Sequence, residues 1–219
     1  MAGQVVHARM GLRAQYRPLR SPLAGNDSDP LRVVDALLGL HPFRRLYVAD
    51  LDAIAGRAGH ADTIAAIGRR HPAIELWVDR GQRDPAAATT TAAVPVLGTE
   101  SLGAVPVDVA PSRWVLSLDF RGGRLLGAEA WLQSSHQWPD AVIAMTLDRV
   151  GSTAGPDLQL LRALRAAAPH RRLYAAGGVR DGTDLSALAA TKVHGVLLAS
   201  ALHDGRIGRD DLRRFAAAG

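Results

Sequence analysis

The chain has 219 residues, of which 47% are apolar and 21% charged, with a net charge of +5 and no cysteine. Those values exclude a disulfide scaffold, a thiolate nucleophile and a cysteine metal centre, and no apolar run reaches the roughly 18 residues of a membrane span. The opening "MAGQVVHARMG" lacks an export-signal pattern, so a cytoplasmic protein without a membrane partner is expected.

All but one of the 26 basic residues are arginine, the exception being Lys192. Arginine grips phosphate and carboxylate with a planar fork, so the composition suits an anionic ligand; it is also what a GC-rich genome writes. The arginines are scattered singly or in pairs, such as Arg44–Arg45 and Arg213–Arg214, without basic blocks or interleaved aromatics. No nucleic-acid partner is expected.

In chain order, strand-like runs alternate with amphipathic stretches. "QVVHARM" (4–10) precedes a helical pattern over 29–41, and "RLYVADL" (45–51) precedes another over 60–71. "IELWVD" (74–79), "AVPVLG" (93–98) and "RWVLSLDF" (113–120) follow, then "AVIAMTLD" (141–148) and a helix over 155–170. "RLYAAG" (172–177), a helix over 183–191 and "GVLLAS" (195–200) complete the series. Most strand runs are continuously apolar, as in parallel sheets covered on both faces, and the alternation predicts βαβ units.

Three segments recur in the same order in each half. "WVDRGQRD" matches "AAGGVRD", Leu51–Asp52 matches Leu147–Asp148, and Gly98–Thr99 matches Ala199–Ser200. Two copies of a four-unit βα block would close a TIM-type (βα)8 barrel, here a single domain over 1–219 with halves at roughly 1–105 and 106–219. Barrel active sites lie at the C-terminal ends of the strands, with phosphate held after the seventh and eighth. Gly177, Gly178 and Ser200 fall there, where small residues and helix N-termini expose backbone N–H groups to an anion.

"LYVADLDAIAG", "WVLSLDFRGGRL", "TLDRVGSTAGPDLQLLRAL", "YAAGGVRDGTDLSAL" and "GVLLASALHDGRI" together resemble the HisA/HisF barrels of histidine biosynthesis over nearly the whole chain. The resemblance implies an Amadori-type isomerase that binds one phosphate per half-barrel and needs no metal or cofactor. It places the general acid on Asp119 and a substrate-stacking tryptophan on Trp131. It places phosphate loops on Ser152, Thr153, Gly177, Gly178 and Ser200 in one half, and on Gly81, Gly98 and Thr99 in the other. Arg13 and Arg17, on the long loop after the first extended segment, are candidates to fold over the anionic substrate.

The departures are specific. The family opens with a strand whose aspartate is the general base, whereas "GQVVHARMG" resembles the segment just after it, so the first barrel strand is missing or replaced. Asp50, Asp52 and Asp148 are the candidate substitutes; Asp50 and Asp52 are read as alternating on one strand and facing the same way. Asp79 and Arg80 stand where the family keeps glycine, and there is little room for a helix before "AVIAMTLD". "RAQYRPLRS" and "LHPFRRLYVADLDAI" look more like the HisA-like paralogues of tetrahydromethanopterin-pathway gene clusters in methylotrophs.

The expected function is therefore acid/base chemistry on a small phosphorylated substrate, in one-carbon cofactor or histidine biosynthesis. The alternative is a catalytically silent barrel that binds a phosphorylated ligand or a partner. Lys192 precedes the last strand, at the face opposite the site, which argues against a Schiff-base mechanism. The eight histidines show no ligand spacing, so no metal site is expected. A missing strand leaves two unpaired edges, which "QVVHAR" is expected to fill or a homodimer to cover.

Overall fold

The computed structural model describes residues 1–84, 93–103 and 114–217. Among these residues seven parallel strands form one continuous ladder: β3 (Arg45–Ala49), β4 (Glu75–Asp79), β5 (Val94–Gly98), β6 (Val115–Arg121), β8 (Ala141–Thr146), β9 (Arg172–Ala176) and β10 (Gly195–Leu197). An eighth, β7 (Arg124–Leu125), returns antiparallel on β6 through a Gly122–Gly123 turn. Strand order follows chain order, so the sheet curls as a TIM-type barrel of the (βα)8 kind.

Alternation within each strand builds two cores. On β6, Val115, Ser117 and Asp119 point into the barrel while Leu116 and Leu118 point out; all are buried. The inner set joins Trp77, Val96, Ile143, Met145 and Tyr174 in one apolar cluster, with Asp119 above it at the mouth. The outer set packs with Leu161 and Leu164 of α5 (Leu158–Ala167) and with Leu185 and Leu188 of α6 (Gly182–Ala189). A sheet buried on both faces explains the continuously apolar strand runs.

Three helices start at aspartate caps. Asp29 accepts the Arg32 N–H and Pro30 opens α1 (Pro30–Leu40); Asp157 accepts the Leu160 N–H ahead of α5. Asp181 accepts from both Thr183 and Asp184 at α6. Each such cap is worth about 1 kcal/mol. α3 (Ala61–Arg70) fills the 60–71 pattern, whereas only the short α4 (Ala130–Gln133) and one turn of 3-10 helix occupy the stretch between β7 and β8. No helix among the described residues is long and apolar enough to cross a membrane. The expected division between the half-barrels, near residue 105, lies outside the described residues.

Among the described residues the ladder does not close: β3 and β10 are its two ends. "QVVHAR" does not fill the seam. Its β1 (Val6–His7) pairs antiparallel with β2 (Arg17–Pro18), and this ribbon lies across the C-terminal ends of the strands. It is tethered there because the Ala2 N–H donates to Asp52 and the Met10 N–H to the Val150 carbonyl. Two residues of ladder with a close antiparallel partner form more readily than a parallel strand that must be threaded between two edges. Native-state hydrogen exchange should reflect the seam. Amides of β3 and β10 facing it should exchange fastest among the sheet strands, and those of β6 and β8, bonded on both sides, slowest.

Candidate active site

A cavity of about 1480 Å³ opens at the barrel mouth and continues down the seam to Arg44, Lys192 and His194 at the opposite end. The position of Lys192 at that far end, in the turn between α6 and β10, agrees with the argument against a Schiff base. Around the mouth stand Tyr47, Asp79, Glu100 and Asp119 on one side, and Ser152, Gly177, Gly178 and Ser200 on the other.

Asp119 is 4% exposed and is held on both oxygens. The Ser117 hydroxyl donates to Oδ1 at 2.7 Å and the Glu100 N–H to Oδ2 at 3.2 Å, while the Asp119 N–H donates to Thr99 Oγ1. Burial is the main cause that pushes its carboxyl up to about 7, the two hydrogen bonds oppose it, and the neighbouring Asp79 and Glu100 carboxylates add to it. Asp79, the last residue of β4, is likewise pushed up to about 6 by burial, against the hydrogen bond from the Gly81 N–H. Tyr47 rises well above a phenol's ordinary value, through burial first and then the Asp79 and Asp119 carboxylates.

The second half of the mouth is backbone. Gly177 and Gly178 have φ of +101° and +87°, and a Cβ on either would strike a carbonyl oxygen, of Thr146 and Gly155 respectively. The two glycines thus let the β9 corner lie directly against the loop after β8, which brings Ser152 alongside. Ser200 opens the short α7 (Ser200–His203), with its Oγ 3.4 Å from His7 Nε2 of the ribbon. Arg13 reaches across from the loop before α1 and pairs with Glu100, closing part of the mouth.

Several sequence expectations are revised. Asp50 and Asp52 do not alternate on a strand, because β3 ends at Ala49. Asp50 caps the short α2 (Leu51–Ile54) by accepting the Ala53 N–H, and its other oxygen accepts the His60 N–H at 2.7 Å. Asp52 sits inside α2, bound by His60, Arg57 and the Ala2 N–H, which hold its carboxyl below the usual carboxylate range. Asp148 accepts the Gly122 N–H and does not line the cavity. None of the three is free at the mouth to replace a base.

Trp131 is fully buried: its indole N–H donates to the Gly103 carbonyl, and the ring packs in the outer core, with no face open to a ligand. Arg17 is exposed and donates to Ala14 and Tyr16 carbonyls of its own turn. Thr153 is exposed outside the cavity, and Thr99 is fully buried with its hydroxyl spent on the Asp119 amide. Gly81 packs on Ile54 and Gly98 beneath Asp119, so these two serve close approach. Asp79 and Glu100 are the mouth residues that the sequence reading did not assign. The signal for Asp79 was present: Glu75, Trp77 and Asp79 share one face of an otherwise apolar strand. Among the described residues no three metal-ligating side chains converge.

Comparison with known proteins agrees with this architecture. The family model described as histidine biosynthesis protein matches residues 2–208. A 1-(5-phosphoribosyl)-5-((5-phosphoribosylamino)methylideneamino) imidazole-4-carboxamide isomerase of Myxococcus xanthus is 30% identical, over 80% of this chain and 81% of its own. The enzyme of the same name from Rhodospirillum rubrum is 32% identical, over 78% and 80%. An uncharacterized protein of Methanocaldococcus jannaschii is 26% identical over 94% of this chain and 91% of its own. With its parallel barrel and a family match over nearly its whole length, the chain belongs to the histidine biosynthesis protein family.

Proposed function

We propose that the chain is an isomerase that opens and rearranges the sugar ring of a small phosphorylated substrate by acid/base chemistry. One observation carries the reading: a buried carboxylate, Asp119, faces a cavity whose other rim is the Gly177–Gly178–Ser152–Ser200 corner. The corner would hold phosphate on backbone N–H groups and hydroxyls, while the carboxylate works on the sugar some way off. Arg13, in the mouth beside Glu100, would meet the anionic substrate as it enters. The names of the isomerase relatives, which contain two phosphoribosyl groups, favour the histidine-pathway ribotide over a phosphorylated precursor of a one-carbon cofactor.

The test is an absorbance assay of the purified chain with that ribotide. Turnover is expected, with competitive inhibition by millimolar inorganic phosphate. A folded protein that binds the ribotide without converting it would instead be a phosphate-ligand-binding barrel. One that does neither would remove the histidine-pathway substrate from consideration.

A further inference from the structure

Asp79 and Asp119 come from strands separated by β5, yet they approach each other because β5 ends in glycine. A methyl group at Gly98 would lie 2.6 Å from Asp119 Oδ2 and 3.6 Å from Asp79 Oδ2, so both carboxylates reach over the same bare backbone. Each is held by local hydrogen bonds: Asp79 Oδ1 accepts the Gly81 N–H at 2.9 Å, and its Oδ2 lies 3.5 Å from the Tyr47 hydroxyl. Neither forms an ion pair with an arginine or lysine among the described residues, and the Arg13 guanidinium, which acts on Asp79 through its charge, is paired with Glu100. Two desolvated carboxylates without a cation are costly to a fold, and such pairs suit groups whose proton is to be moved.

We propose that Asp79 is a catalytic residue, the base that works with Asp119 as acid in one carboxylate pair at the barrel mouth. This rests on the isomerase reading above. Asp119 gives its proton to the ring oxygen of the aminated sugar, the C1–O bond breaks, and its electron pair stays on that oxygen while nitrogen supplies the C1=N bond. Asp79 takes the proton from C2; the C–H pair becomes C1=C2 and the C1=N pair returns to nitrogen. Asp119 then recovers a proton from the C2 hydroxyl as the ketone forms, and Asp79 returns its own to C1. The product is an isomer, and both groups end as they began.

The groups facing the pair are Tyr47 from β3, Glu100 after β5, Arg13 and Tyr16 from the loop before α1, and Arg121 at the end of β6. With burial the main cause at both carboxyls, wild-type kcat/KM should be bell-shaped, with two apparent midpoints around neutrality or just below. Asp79→Asn should lower kcat at least about 100-fold, leave ribotide binding within a few-fold, and abolish the acid limb of the profile. Asp79→Glu should keep that limb at a reduced rate. In carboxyl-labelled NMR, Asp119 should titrate lower in Asp79→Asn than in the wild type, because a neighbouring negative charge is gone.

If the wild type turns over and Asp79→Asn stays within threefold of it, or keeps its acid limb, the assignment of Asp79 is overturned and the isomerase reading stands. If Asp79→Glu turns over without an acid limb, the assignment is likewise overturned. A wild type without turnover overturns the isomerase reading, and the role of Asp79 falls with it.

Discussion

Asp119→Asn should lose turnover by about 10²–10⁴-fold and yet be more stable than the wild type in mild alkali. Asparagine keeps the shape, and its carbonyl oxygen can still accept from the Ser117 hydroxyl or the Glu100 N–H. Only the proton and the charge are removed. The direction of the stability change follows from protonation: in the fold the carboxyl holds its proton to about pH 7, while in the unfolded chain it loses it near its ordinary value. Between those values the folded state binds more protons, so wild-type stability falls as pH rises through the window.

The variant lacks that loss. At pH 8 it should gain on the wild type by on the order of 3 kcal/mol, roughly 5–10 °C in Tm, and at pH 4 by little. Calorimetry at the two pH values, beside the ribotide assay, checks both halves. A variant that loses stability equally at both pH values would place Asp119 among the purely structural residues.

Gly178→Ala should be the most damaging of the small substitutions. The new Cβ would run into the carbonyl of Gly155, which is backbone and cannot swing away, and φ at this position is +87°. Something on the order of 3 kcal/mol or more is expected in denaturant unfolding, together with weakened inhibition by inorganic phosphate as the loop after β8 is pushed from the β9 corner. Gly205→Ala is the control: its φ of +70° carries the left-handed penalty, but the added methyl meets open space. Its cost should stop at about 1–2 kcal/mol. If the two variants cost the same, close approach at Gly178 contributes nothing and the corner is only a turn.

What the sequence made legible was set by local rules. The apolar runs and the small residues after β9 and β10 are short-range features with one good solution each. What it hid depended on where a strand stops. Ending β3 at Ala49 instead of two residues later turns Asp50 into a helix cap and Asp52 into an ion-pair partner, and no periodicity marks that end. Trp131 follows the same logic: with only a single helical turn over β6 and β8, its ring must fill the core that a longer helix would cover. Asp79 was visible as a departure from glycine, but its meaning needed the third dimension. Only when Gly98 lies between two strands does an acid on one of them acquire a partner on the other.

The open seam gives the barrel an unequal stiffness around its circumference. In a closed hoop any widening strains every joint; in a split collar the load is relieved at the gap and hardly felt diametrically across from it. β6, which carries Asp119, is the middle strand of the ladder and lies as far from the gap as the path allows, whereas β10 borders it. In the proposed reaction the acid, Asp119, is therefore held on the rigid side, while Asp79 on β4 stands one strand in from the gap. The corner proposed to hold phosphate, after β9 and β10, borders the side that can yield.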